Sequence, residues 1–154
     1  MRIGTGFGAR ATALAGVLAT GADRGFAHEG AKGMVNERMN AMKSLKADMK
    51  AISDMLRGRA VFKAEEVQWR ADRIRAHCRD FERLFPEDSN DASSEASPRI
   101  WSEWSRFLRR SQDMTAAAGA LMKAGNREAA ARMAFGELAQ TCRSCHDDYR
   151  LDKK

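Results

Sequence analysis

Residues 35–56 read VNERMNAMKSLKADMKAISDML, and the spacing within this stretch decides the fold. Val35, Arg38, Met42, Leu45, Met49, Ile52 and Leu56 follow one another at alternating three- and four-residue steps. Such steps put all seven side chains on one face of a helix. A stripe with a period of about 3.5 residues is the pattern of helices packed nearly antiparallel in a bundle. The spacing predicts a helix over 32–57.

Three more segments carry the same period. A second helix is expected over 63–85, with Val67, Ala71, Ile74, Cys78, Phe81 and Phe85 on its stripe. A third starts at Ser97-Pro98, an N-cap residue followed by proline at the first helical position. Its face reads Trp101, Trp104, Phe107/Leu108, Ser111, Met114, Ala118 and Leu121/Met122. A fourth follows Gly125, with Asn126 as candidate cap, and runs to about Leu151 through Ala131, Phe135, Leu138, Cys142, Cys145 and Tyr149. Arg57-Gly58-Arg59 and Ala124-Gly125-Asn126 are short connections, which make consecutive helices antiparallel neighbours. Residues 86–97 (PEDSNDASSEAS) are polar, acidic and serine-rich, and read as a longer surface loop. The expected fold is all-α, an antiparallel up-down-up-down four-helix bundle.

Composition agrees. Of the 154 residues, 44% are apolar and only two are proline, and the abundant Ala, Met, Lys, Arg and Glu lose little rotamer freedom in a helix. Residues 1–27 are read as a cleaved signal peptide. Arg2 and Arg10 form its positive start, and Ala11 to Ala22 a short apolar core. Gly25-Phe26-Ala27 supplies small residues at the positions −3 and −1 from cleavage. The apolar run is too short to span a bilayer, which takes roughly 20 residues. The mature domain is then 28–154, exported to the periplasm and without a membrane anchor. Its charges are mixed along the chain, with no concentrated basic stripe of the kind that marks nucleic-acid binding.

The chemistry lies near the end, in Cys142-Arg143-Ser144-Cys145-His146. This is C-x-x-C-H, the attachment signature of a c-type haem. Each thiol adds across one haem vinyl group to give a thioether, and the adjacent histidine reaches the iron. Rival readings explain less. A Cys142–Cys145 disulfide leaves His146 without a role. A thioredoxin-like pair begins a helix after a strand. A zinc site wants four ligands, and beyond the motif the chain offers only Cys78, His28 and His77.

With that motif close to the C-terminus of a four-helix chain, the sequence resembles the cytochrome c′ family. The likeness runs through Arg38-Met39-Asn40-Ala41-Met42-Lys43, Leu84-Phe85-Pro86, Ile100-Trp101 and, most specifically, Cys142 to Arg150 (CRSCHDDYR). It implies one covalent haem c held by Cys142 and Cys145, its iron ligated by His146. The family's distal position falls four residues after an arginine, here at Met42. Five-coordinate, gas-binding members resemble one another in carrying a non-ligating residue there; the six-coordinate cytochrome c-556 type has methionine. The resemblance therefore implies His146/Met42 ligation, which suits electron transfer, and a haem propionate at Arg38. Arg38 otherwise snorkels to water at the bundle's end. Arg150 corresponds to a basic residue near the proximal face; it either influences the imidazole or, with Lys153 and Lys154, offsets the helix dipole.

Helix rise gives coarser support. His146 lies about 8 Å from the expected end of the last helix, and Met42 about 15 Å from the expected start of the first. Met49 is about 10 Å further on and reads as core; Met39 has a suitable height but sits off the main stripe. Cys78 reads as a small buried hydrophobe, His77 as a surface residue, and Trp101 and Trp104 as core or pocket lining. No catalytic set is visible. The expected function is a one-electron carrier, not an enzyme, working with redox partner proteins as a monomer or homodimer. The alternative is a five-coordinate protein binding nitric oxide or carbon monoxide.

Overall fold

The computed structural model describes residues 26–151, with side chains described from residue 33. The signal-peptide reading falls, but for its last two residues, outside the described residues, as do Lys153, Lys154 and the side chain of His28. The described residues hold five helices: α1 (Phe26–Leu56), α2 (Ala64–Arg79), α3 (Arg99–Ser102), α4 (Trp104–Ala124) and α5 (Glu128–Tyr149), with a 3₁₀ turn over Glu82–Leu84. The long helices α1, α2, α4 and α5 form the expected four-helix bundle, and α3 is a single turn leading into α4. No described helix is long and apolar enough to cross a membrane. The helices do not pack equally. α2 lies along α4 and α4 along α5 over most of their lengths, whereas α1 leans on α2 and touches α5 sparsely.

Besides the earlier start of α1 at Phe26, three features of the helix boundaries differ from expectation. α2 stops at Arg79, because the chain tightens into i→i+3 bonds (Phe81 N to Cys78 O, 3.3 Å; Leu84 N to Phe81 O, 3.0 Å). That tightening still buries Phe81, Leu84 and Phe85. Ser97 does cap the next helix, its Oγ accepting from Arg99 N at 3.2 Å. The helix then breaks at Glu103 (φ −116°, ψ 34°), whose carboxylate gathers Arg99, Arg106 and the Tyr149 hydroxyl. Finally, Arg127 rather than Asn126 precedes α5, with no side-chain cap.

The turns show what their glycines do. Gly58 has φ +71° and closes α1, with Gly58 N bonded to Met55 O (3.1 Å) and Arg59 N to Asp54 O (2.8 Å). This is the Schellman pattern, which needs a left-handed residue. Gly125 is required for a different reason: a Cβ there would sit 2.6 Å from Gln68 Cγ and 3.3 Å from Gln68 N.

The core is continuous from Ile52, Leu56 and Val67 to an aromatic cluster at the other end. There Phe85 meets Phe81 (5.4 Å), Trp101 (6.5 Å) and Phe107 (4.8 Å), and Phe107 meets Trp104 (5.5 Å) and Tyr149 (5.4 Å). One charge lies inside the α1–α2 contact. Asp48 is 1% exposed and is held by Arg70 at 2.9 Å and Arg73 at 3.3 Å. Read along the sequence, Asp48 belongs to the mixed surface charge; it is instead a buried clasp between two helices.

Candidate functional site

The C-x-x-C-H residues occupy the last two turns of α5. Cys142 and Cys145 are half-buried and packed against the core. Both are free thiols, and Cys142 Sγ lies 3.9 Å from Met114 Sδ. Burial pushes the Cys145 thiol up to about 11 and raises Cys142 as well. A working dithiol pair has the opposite character, a thiolate stabilised at a helix N-terminus. These thiols sit at the C-terminal end, where the helix dipole disfavours negative charge. The thioredoxin-like reading therefore fails on geometry and on electrostatics together.

His146 is exposed as a residue, yet the protein around its imidazole lowers its pKa by desolvation, and the Arg150 charge lowers it further. Neutral imidazole, the metal-ligating form, is thereby favoured. The end of α5 is fixed from outside the motif. Asp148 binds Arg106 at 3.1 Å and Arg110 at 2.9 Å, and its carbonyl accepts from Arg99 at 3.2 Å. This arginine cluster is not among the residues that motif and stripe single out. Its signal is the four-residue spacing of Arg106 and Arg110, which puts both on one side of α4. Arg150 does not extend freely over the proximal face: its guanidinium pairs with Glu95 (2.7 Å) on the long loop. Its backbone bridges to Ala96, with Ser97 N bonded to Tyr149 O (2.9 Å) and Leu151 N to Glu95 O (2.8 Å).

Arg38 is the other marked residue. It is 5% exposed, so the snorkelling alternative is overturned. Its Nη2 donates to the carbonyl of Ser89, and its Cζ lies 5.0 Å from the Phe85 ring centre and 5.9 Å from that of Trp101. Nε and Nη1 are buried without a hydrogen-bond partner. Desolvation lowers the Arg38 pKa, against the pull of Asp91. A buried guanidinium with two idle nitrogens is costly unless an anion completes it. Loop residues 86–97 help build this corner: Ser89 is buried, and Trp101 Nε1 donates to the Phe85 and Pro86 carbonyls.

Met42 is half-buried and packed against the core, as is Met49, whereas Met39 is 44% exposed. α1 begins six residues earlier than expected, so distances counted from its start mislead. A better origin is the aromatic cluster, which Arg38 of α1 and Tyr149 of α5 both touch through Phe85 and Phe107. From there Met42 lies about 6 Å along α1 and His146 about 4.5 Å along α5, at 1.5 Å per residue on antiparallel helices. Met49 is about 16 Å along by the same rise. Cys78 is buried (2% exposed), its thiol pushed up to about 12 mainly by desolvation. Its carbonyl accepts from Ser111 Oγ at 2.9 Å. His77 is half-buried rather than on the surface. Trp101 and Trp104 pack against the core.

Comparison with known proteins agrees with this architecture. The family described as Cytochrome C' matches residues 33–150. A cytochrome c′ of Rhodopseudomonas palustris is 31% identical over 121 residues, covering 78% of this chain and 83% of its own. A cytochrome c-556 of Agrobacterium fabrum is 29% identical over 124 residues, covering 80% and 84%. The solved structure of the cytochrome c′ from Rhodopseudomonas palustris superposes with a TM-score of 0.74 at 30% identity, over 79% of this chain and 98% of that one. The chain belongs to the cytochrome c′ family.

Proposed function

We propose that this haem c protein is a periplasmic one-electron carrier, exported by residues 1–27. Cys142 and Cys145 hold the cofactor as thioethers, His146 and Met42 ligate its iron, and Arg38 pairs with a propionate. The residues present fit the group: two free thiols and a neutral-favoured imidazole on one end of α5, and a buried guanidinium with two idle nitrogens. The haem supplies an iron that changes charge by one. The chain's part is to hold that charge away from water and to keep its own ligands fixed. Cys142 and Cys145 anchor, the Asp148–Arg106–Arg110 cluster steadies the turn that carries His146, and Arg38 neutralises a carboxylate.

The single observation that carries the reading is the level of Met42. Counted by helix rise from the aromatic cluster, half-buried Met42 falls within about 2 Å of the level of His146, with Met39 44% exposed and Met49 about 10 Å beyond. A methionine/histidine pair raises the potential and favours electron transfer. The test is an optical spectrum of the matured protein, oxidised and dithionite-reduced, with and without carbon monoxide. Sharp α and β bands unmoved by the gas, lost in Met42→Leu, are expected. A broad high-spin spectrum that shifts with carbon monoxide in the wild type gives the function to gas binding instead.

A further inference from the structure

Beside the sparse α1–α5 contact, both helices carry exposed cations. On α1, Lys46 is one turn beyond Met42 and Lys43 one turn beyond Met39; both lysines are exposed. Neither makes an ion pair among the described residues, unlike Lys50 of the same helix, which binds Asp54 at 2.5 Å. On α5, Arg143 is exposed one turn before His146 and bonds only the neutral amide of Gln140 (2.7 Å). Measured from the shared aromatic cluster, Lys43 and Lys46 stand about 8 and 12 Å along α1, and Arg143 about 9 Å along α5. By this count the three cations fall within about 5 Å of one another in height, on the two helices that carry Met42 and His146. Met39, 44% exposed, adds an apolar contact one turn before Lys43. The acidic Asp147, next to His146 and one turn after Arg143, offsets part of this charge.

Elsewhere the arginines are mostly spent on partners: Arg70 and Arg73 on Asp48, Arg106 and Arg110 on Asp148, Arg132 on Glu128, Arg150 on Glu95. Unneutralised cations around an exposed apolar side chain make a surface that steers and seats an anionic face. A second copy of the chain would bring the same charges against itself in a two-fold contact. We infer that Lys43, Lys46, Arg143 and Met39 form the docking surface for an acidic patch on a redox partner protein, the point through which electrons enter or leave. This rests on the electron-carrier reading.

Two probes test it on the haem-loaded, full-length mature protein. Hexacyanochromate(III), a paramagnetic and redox-inert trianion, is titrated into the ferrous protein and amide line broadening is mapped by NMR. Broadening centred on Lys43, Lys46 and Arg143 is expected. Broadening centred on Arg57, Arg59, Lys63 and Arg127 at the opposite end, or spread evenly over all cations, overturns the assignment. In stopped flow, ferricyanide oxidises the ferrous protein. Lys43→Glu/Lys46→Glu should slow this by about fivefold or more near 10 mM ionic strength, and hardly at all near 0.5 M. The control Arg57→Glu/Lys63→Glu changes net charge equally and should slow it by less than about twofold. Equal slowing by both pairs makes the effect one of net charge and refutes the surface, as does a dimer that buries Lys43 and Lys46. Failure of the carrier reading shows separately, as a spectrum that shifts with carbon monoxide, and leaves the anion map to decide the surface.

Discussion

Asp48 offers the sharpest quantitative test of how α1 is held. Its side chain is 2% exposed, while those of Arg70 and Arg73 are 22% and 42% exposed. Arg70 also keeps Glu66 at 2.8 Å. The two halves of the clasp are therefore unequal. Asp48→Ala frees cations that reach water or Glu66, so its cost should fall below the 3–5 kcal/mol typical of breaking a buried pair, at about 2 kcal/mol. Arg70→Met leaves a carboxylate that cannot rehydrate, with only the longer Arg73 contact, and should cost about 3 kcal/mol. In the double variant the stranded charge is gone, so the effects should fall short of additive by about 1.5 kcal/mol. The assay is urea unfolding of the haem-loaded protein at pH 7, with the four members of the cycle compared at constant m. Equal single costs, or a coupling below about 0.5 kcal/mol, would place the pair with ordinary surface salt bridges and refute the buried-clasp argument.

Three shorter predictions test other parts of the bundle. Arg38→Met should destabilise the haem-loaded protein by about 3 kcal/mol if an anion completes the guanidinium; a neutral or stabilising effect in urea unfolding means that no anion is there. Gly125→Ala should cost about 1–3 kcal/mol by overpacking against Gln68, read as a fall in the thermal midpoint, and Gly125→Ser should be no better tolerated. Hydrogen bonds from Lys50 and Arg59 hold the Asp54 carboxyl below its ordinary value, so its contribution is present above the ordinary carboxylate range and lost as pH falls through the depressed value. The stability gap between wild type and Asp54→Asn should accordingly close between about pH 5 and pH 2, and a constant gap contradicts the linkage.

What the sequence made legible followed from period and motif. Seven stripe residues from Val35 to Leu56 specify α1, and every one of them except Met42 and Met49 is buried. Ser97-Pro98 specify a helix start, and Ser97 Oγ makes the expected bond. C-x-x-C-H specifies attachment chemistry because two thiols and an imidazole at that spacing have few other uses. The hidden features depend on pairings between distant segments. Asp48 stands three residues after Leu45 and four before Ile52, on the flank of the stripe, and only the nearness of Arg70 and Arg73 turns it into a core residue. Arg150 looked ambiguous because its partner, Glu95, lies 55 residues away in a loop without periodicity. The 3₁₀ turn after α2 was missed because Phe81 and Phe85 satisfy a helical stripe as well as the tighter path that buries them.

The sparse contact between α1 and α5 bears on the ligand question. Packing holds α1 chiefly to α2, and Met42 is half-buried against the core rather than fully enclosed. On the proposed reading, a bond from the Met42 sulfur to iron is itself a tie between the two helices. Leucine has nearly the volume of methionine, so Met42→Leu judged as packing alone should cost less than about 1.5 kcal/mol, and the same in both oxidation states. A thioether ligand favours the reduced iron, so judged as ligation the cost must be larger in the ferrous protein than in the ferric. Unfolding Met42→Leu and wild type by urea in each oxidation state separates the two accounts without reference to the optical spectrum. A cost independent of oxidation state makes Met42 a packing residue, and the closeness of its level to that of His146 a consequence of bundle geometry alone.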